Sequence, residues 1–405
     1  MDKAIKVSEY QARRKKISSV LKDAVGVVFA GAGAPPLRGE WFPDMNFRYL
    51  SGIANEPGAV ILFDPKNPNP KRRTTLFLQP VNPEMDVWDG YRDHISQELR
   101  DRYGFDTVMR TNALPRFLSE AARRTKKLAC LHPTAAYTQP ITPDLEIFQK
   151  IAARTPGCSI VDMSDAIINL RLVKSPAEIK QIQSAIKATH NGLNALMGKL
   201  KPGVGERELH NALVGGFAEA GSIRNAFDPI VGSGYNATIL HYKENTGVCN
   251  DGDLIVVDSG AEINGYASDI TRTVPVNGKY TKEQAKLYNL VLKSQQAAIR
   301  AVKPGATMAQ VDEASRKVIR DAGYGDQYLH GVGHHLGLET HDPSPDVKLK
   351  AGMVVTIEPG LYLQDKSIGI RIEDDILVTE KGYKNLSSMI PKTVSEVEAA
   401  IKAAK

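Results

Sequence analysis

Apolar and polar positions fall into two rhythms along this chain, and the change of rhythm divides it. In the first part, short apolar runs over residues 24–30, 58–63 and 74–78 predict buried strands. The last two are separated by the turn-rich Asp64-Pro-Lys-Asn-Pro-Asn-Pro. Residues 117–125 and 144–153 have helical spacing, so this part reads as α/β. The stretch Gly31-Ala-Gly33 resembles the start of a dinucleotide loop, but Pro35 and Pro36 follow and no third glycine stands at 36. Near Arg171-Leu-Val-Lys-Ser-Pro-Ala-Glu178 the pattern changes. Ser175 is placed as an N-cap, Pro176 suits the first helical position, and Glu178 completes a capping box. Ile179, Ile182, Ile186, Leu193 and Leu196 then share a face, predicting a long helix. The predicted domains are 1–170 and 171–405.

The second part repeats itself. Lys201-Pro-Gly returns as Lys303-Pro-Gly, an offset of 102. At that offset Leu209 matches Val311, Ala212 matches Ala314, Phe217 matches Ile319, and Ala220-Gly221 matches Ala322-Gly323. Each half thus reads as turn, amphipathic helix and glycine stop. At an offset of 100, Asp258 falls on Glu358 and Gly260 on Gly360; Asp269 then corresponds to Glu373. A pseudo-twofold domain would bring these four acids together.

Composition excludes several functions. With 405 residues, 42% hydrophobic and 24% charged, the chain can bury two cores. A net charge of +6 is mild, and the basic clusters at 13–16, 71–73 and 123–127 are short and scattered. They read as solvated faces and turns, not as a nucleic-acid surface. The longest apolar run, 24–34, is short of the ~20 residues of a membrane span, and the first residues carry no apolar signal core. Cys130, Cys158 and Cys249 form no CxxC pair, which fits a reducing cytoplasm.

The acids carry the chemistry. Asp258 ends the apolar run Leu254-Ile-Val-Val, Glu358 follows Val354-Val-Thr-Ile, and Glu373-Asp374-Asp375 follow Gly369-Ile-Arg-Ile. A buried carboxylate must be neutralised, paired or bound to metal. Arg272 or Arg371 could satisfy one such acid; four in symmetric positions favour a metal site. Imidazoles cluster nearby in sequence, with His330, His334, His335 and His341 in one glycine-rich segment and His241 after a β-like stretch. The three glycines of 330–337 would let backbone approach a ligand, and His335 reads as structural. Four carboxylates with one imidazole suit two divalent ions, with Mn, Co, Fe and Zn all open. There is no HExxH, no Gly-x-Ser-x-Gly and no P-loop.

Asp258-x10-Asp269, His334, Glu358-Pro-Gly and Arg371-Ile-Glu373 resemble, in order and type, the ligands of the pita-bread dinuclear metallopeptidases, a group that includes methionine aminopeptidase, prolidase and aminopeptidase P. Ile239-Leu-His-Tyr, Asp269-Ile-Thr-Arg-Thr-Val-Pro, His330-Gly-Val-Gly-His and Glu358-Pro-Gly-Leu-Tyr are similar to aminopeptidase P in particular. So are Phe47-Arg-Tyr-Leu-Ser-Gly in the first domain and Asp86-Val-Trp88-Asp-Gly-Tyr-Arg92, although Asn46 stands where some aminopeptidases P have Asp.

The resemblance implies an α/β N-terminal domain followed by an α+β pita-bread catalytic domain with an internal pseudo-twofold repeat. It implies two divalent ions per chain, manganese first among them. Asp269, His334, Glu358 and Glu373 would hold one ion, and Asp258, Asp269 and Glu373 the other. A bridging hydroxide would attack the bond between an N-terminal residue and proline, with Glu358 passing the proton to the leaving nitrogen. His241 and His341 would orient the substrate or stabilise the oxyanion, and His330, Tyr362 and Arg371 would line the pocket. Glu373, Asp374 and Asp375 would hold Arg371 beside it. Trp88 would reach a neighbouring subunit's site in a homodimer or homotetramer. Prolidase, which takes Xaa-Pro dipeptides, is the alternative. A metal-free hydrolase such as creatinase, or a binding module, should have lost the ligand set. The expected partners are peptide substrates, with no nucleic acid and no membrane.

Overall fold

The computed structural model describes residues 5–32, 41–133 and 135–405, and the chain divides into two compact units, Met1–Arg171 and Leu172–Lys405. The expectations for Pro35 and Pro36 and for the Asp86 side chain lie outside the described residues.

The first unit is built on a six-stranded sheet. Its strands are β1 (Val25–Phe29), β2 (Val60–Phe63), β3 (Thr74–Leu78), β4 (Thr107–Arg110), β5 (Lys127–Cys130) and β6 (Ser159–Asp162), in the order β4-β3-β2-β1-β5-β6. Strand β2 runs antiparallel to both neighbours; the other pairs are parallel. Helices Leu114–Thr125 and Pro143–Ala152 lie where helical spacing predicts them, and Leu118, Ala122 and Phe148 pack on Val25, Val27, Leu62 and Phe77. The basic cluster at 13–16 departs from expectation. Arg13 and Arg14 are buried and donate to the carbonyls of Tyr49 (2.9 Å) and Leu50 (2.7 Å). They satisfy acceptors in the last turn of helix Met45–Ser51 and lie over the Tyr49 and Phe105 rings. Asn46 is also engaged, its amide oxygen accepting from Arg171 at 2.8 Å.

The second unit shows the repeat. Helix Pro176–Met197 opens with the Ser175/Glu178 capping box, and helix Lys282–Ala301 with a Thr281/Gln284 box. Each packs against a 14-residue helix, Glu206–Glu219 or Met308–Asp321, whose bounds differ by the same 102 positions as the sequence repeat. The glycine stops Gly221 and Gly323 have φ of +89° and +86°.

The strands here are β7 (Arg224–Asn225), β8 (Ile230–Ser233), β9 (Leu254–Ser259), β10 (Ala261–Ile263), β11 (Tyr266–Ala267), β12 (Ile270–Pro275), β13 (Val354–Ile357), β14 (Gly360–Leu363), β15 (Ile368–Arg371), β16 (Asp374–Thr379) and β17 (Gly382–Asn385). One half contributes the antiparallel sheet β8-β9-β12, the other β13-β16-β17, with the hairpin β14-β15 beside them. No helix among the described residues is long and apolar enough to cross a membrane.

The halves meet along β12. Glu373 N donates to Thr271 O at 3.1 Å, and Thr273 Oγ1 both receives from Arg371 N and donates to Arg371 O at 3.0 Å. Arg272 lies in the seam with no exposed surface. It pairs with Asp374 at 2.8 Å and donates to the carbonyls of Thr271 (2.8 Å), Glu373 (2.5 Å) and Pro391 (2.7 Å). A buried guanidinium is tolerable only when its donors are filled this way.

Candidate metal centre

Each half brings two acids to the seam. Asp258 lies near the end of β9, paired in register with Thr271 of β12, and Asp269 just precedes β12. Glu358 follows β13, and Glu373 immediately precedes β16. His334 comes from the loop beside β13, fixed by two hydrogen bonds with Thr356: Thr356 N donates to His334 O at 2.8 Å and His334 N to the Thr356 side-chain Oγ1 at 3.1 Å. One donor atom each of Asp269, His334 and Glu373 lies within 4.8 Å of the others. His334 Nε2 is 3.4 Å from Asp269 Oδ2 and 3.6 Å from Glu358 Oε1.

These groups fit divalent cations by what they leave open. Asp258 Oδ1 and Asp269 Oδ1 are buried with no hydrogen-bond partner. A buried carboxylate oxygen without a donor is costly unless a cation or proton meets it. Each carboxylate's other oxygen, or its backbone, is held by the protein. Asp258 Oδ2 receives from Arg371 at 2.7 Å, Glu373 Oε2 receives from the Thr271 hydroxyl at 2.7 Å, and Asp269 N donates to Asp375 Oδ2 at 3.3 Å. His334 Nδ1 lies 3.1 Å from the His335 carbonyl, which makes Nδ1 the protonated nitrogen and turns the Nε2 lone pair to the acids.

The electrostatics agree. Burial raises Asp269 and Glu373 well above the usual carboxylate range, and the neighbouring negative charges push the same way. Burial also raises Glu358, to about 7, against the pull of His334 and Arg371. Acids crowded like this cannot all ionise without a positive charge among them, which bound cations would supply.

Around the acids runs a chain of bonds. Arg371 Nη1 donates to the Tyr362 hydroxyl at 2.7 Å, and that oxygen is 2.8 Å from His330 Nε2. Burial and the Arg371 charge push His330 down to about 4, so it accepts the Tyr362 proton. Burial works against the Arg371 charge, but Tyr362, Asp258 and Glu358 outweigh it and its pKa rises. The expectation that Glu373, Asp374 and Asp375 hold Arg371 is therefore corrected. Arg371 pairs across the seam with Asp258, while Asp374 belongs to Arg272 and Lys392. Strand β15 ends at Arg371 and β16 begins at Asp374, so the chain breaks between them and no strand alternation carries the acids that follow onto the face of Arg371.

His341 is exposed and stacks on His334, with ring centroids 3.9 Å apart. Its pKa is lowered by burial of part of the ring and then by the charges of His334 and His241. His241 is also exposed. His335 is buried and lies in a backbone bridge to Val355. The glycines of this segment serve packing more than ligand approach. A Cβ on Gly333, at φ +151°, would lie 2.1 Å from Thr356 O, and one on Gly337 would lie 2.7 Å from Asp342 Oδ2. Only at Gly331 is the space open. Trp88, on helix Pro83–Asp89 of the first unit, is 81% exposed. Sequence reasoning missed Thr271 and Thr356 and gave Asp375 to Arg371; in the structure Thr271 orients Glu373, Thr356 holds His334, and Asp375 accepts from Asp269 N. The alternation Asp269-x-Thr271 places Thr271 on the face of a candidate ligand and could have revealed it.

The model of metallopeptidase family M24 matches residues 180–380, and that of the aminopeptidase P N-terminal domain matches residues 10–129. The chain is 31% identical over 436 residues to an Xaa-Pro aminopeptidase of Escherichia coli, covering 98% of each chain. It is 38% identical over 230 residues to an Xaa-Pro dipeptidase of Pyrococcus furiosus, covering 56% of this chain and 66% of that one. The aminopeptidase PepP of Pseudomonas aeruginosa superposes with a TM-score of 0.88 at 30% identity, covering 99% of both chains.

Proposed function

The chain belongs to metallopeptidase family M24, and from that premise we propose that Asp258, Asp269, His334, Glu358 and Glu373 hold two divalent cations, manganese first, with Asp269 and Glu373 shared between them. The protein is a peptide hydrolase, a metal-dependent exopeptidase that releases the N-terminal residue from peptides with proline second. The observation that carries the ligand assignment is the pair of buried, unpartnered oxygens on Asp258 and Asp269, beside the Nε2 lone pair of His334.

Bound cations supply Lewis acidity, polarising the scissile carbonyl and acidifying a water. The chain's own groups do the rest. Glu358 would take up a proton and carry it to the leaving nitrogen. A prolyl peptide nitrogen has no hydrogen and must gain one to depart. His341, stacked on His334, and His241, both exposed, would donate to the substrate carbonyl as negative charge develops there. The His330–Tyr362–Arg371 chain holds Asp258 in place.

Three free cysteines suit a reducing compartment such as the cytoplasm. The exposed Trp88 suits contact with a second copy in a homodimer or homotetramer, where it would border the partner's peptide site.

The Pyrococcus likeness favours dipeptidase as the second reading, but it spans 56% of the chain, whereas the Escherichia coli aminopeptidase spans 98%. A hydrolysis panel decides between them. Xaa-Pro-Yaa peptides should have a higher kcat/KM than Xaa-Pro dipeptides, and Xaa-Ala-Yaa should be poor. Cleavage confined to dipeptides would establish the second reading.

A further inference from the structure

Glu206 opens helix Glu206–Glu219 at the position where the second half carries Met308, so the repeat does not explain it. It is fully buried, and each oxygen takes two donors. Oε1 receives from Ser233 N at 2.8 Å and Asn236 Nδ2 at 3.0 Å. Oε2 receives from the Tyr242 hydroxyl and Gly247 N, both at 2.7 Å. Ser233 and Asn236 precede His241; Tyr242 and Gly247 follow it. The Tyr242 oxygen also accepts from Asn236 Nδ2 at 3.0 Å and Thr246 N at 3.1 Å. On the other side of His241, the Leu240 carbonyl receives from Arg371 Nη2 at 3.4 Å, the nitrogen that pairs with Asp258. His241 itself is exposed, so its direction is set by the backbone that carries it.

We infer that Glu206 is a positioning residue for His241, closing the loop 233–247 around one carboxylate so that the imidazole is held at a fixed distance from the acids. The inference rests on the catalytic reading of His241 given above. A carboxylate only accepts, and four donors fill it. A glutamine there turns an amide NH2 toward two of those donors, which frees the loop. Misplacing a catalytic group by about 1 Å costs on the order of 10²-fold in rate.

The test is a double-mutant cycle of Glu206→Gln and His241→Ala, with kcat and KM on an Xaa-Pro-Yaa peptide and elemental metal content for each protein. Glu206→Gln should lower kcat by about 10-fold or more, with KM and metal content near wild type. In the His241→Ala background the same change should cost almost nothing. If Glu206→Gln does not accumulate folded, Tyr242→Phe, which removes one donor to Oε2, enters the same cycle and should show a smaller drop with the same dependence on His241. An equal drop in both backgrounds, no drop at all, or loss of metal would overturn the inference. Wild-type turnover in His241→Ala alone would overturn the reading of His241 instead.

Discussion

Replacing Glu358 by Gln should stabilise the metal-free protein, and by more as pH rises. Burial lifts the Glu358 carboxyl from 4.5 to about 7, with Asp258 pushing the same way against His334 and Arg371. Between those two values the folded protein holds a proton that the unfolded chain has released. The stability this carboxyl contributes is fully present below about pH 4.5 and is lost as pH rises through about 7. At 1.36 kcal/mol per pKa unit the loss is about 3 kcal/mol. Glutamine has the same shape and does not titrate. The variant's advantage over wild type should therefore grow by up to about 1.4 kcal/mol per pH unit between pH 5 and 7 and level off near pH 8. Urea denaturation in excess chelator at four pH values measures it. His330 and His335, each pushed down to about 4, add the opposite slope, but both proteins carry them and they cancel in the difference. With saturating manganese the sign should reverse, since the variant lacks a carboxylate donor. A stability difference that stays flat with pH in the metal-free proteins would refute the account of a strained acid cluster.

Asp269→Asn and Glu373→Gln should each lose both cations and all activity; elemental analysis finding full metal in either would remove it from the shared position. His241→Ala and His341→Ala should keep metal content near normal while kcat falls by roughly 10², and steady-state kinetics with wild-type turnover would make them structural. Arg272→Met should destabilise by about 3–5 kcal/mol, because Asp374 loses its fully buried partner and four carbonyls lose a donor. Denaturation midpoints check it, and Asp374→Leu in the same chain should recover part of the loss.

The repeat was the most legible feature of the sequence because helix length and carboxylate position were duplicated together. The offset of 102 reappears in the bounds of the two 14-residue helices. Strands β1 to β3 were readable as apolar runs, whereas β4, β5 and β6 were not. Each is four residues long and includes Arg110, Lys127 or Ser159, so no periodicity accumulates. The acids were legible because buried charge is rare and stood against apolar strands, and His334 because imidazoles cluster in one glycine-rich segment. Partner choice was not. Which carboxylate meets Arg371 depends on strand pairing across more than a hundred residues, and chain neighbours gave the wrong answer. The role of Arg13 and Arg14 was hidden for a related reason, since the carbonyls they satisfy lie 36 residues away.

The seam along β12 bears on ancestry. Each half supplies two of the four acids, and the imidazole comes from the second half alone. A half-length chain would hold too few donors for a pair of cations, so a working ancestor of that size would have acted as two copies facing one another. The halves differ in what they carry: the first has Glu206 where the second has Met308, and the second holds His334 and Arg371. A symmetric scaffold thereby acquired a front and a back, which a peptide with one free end requires.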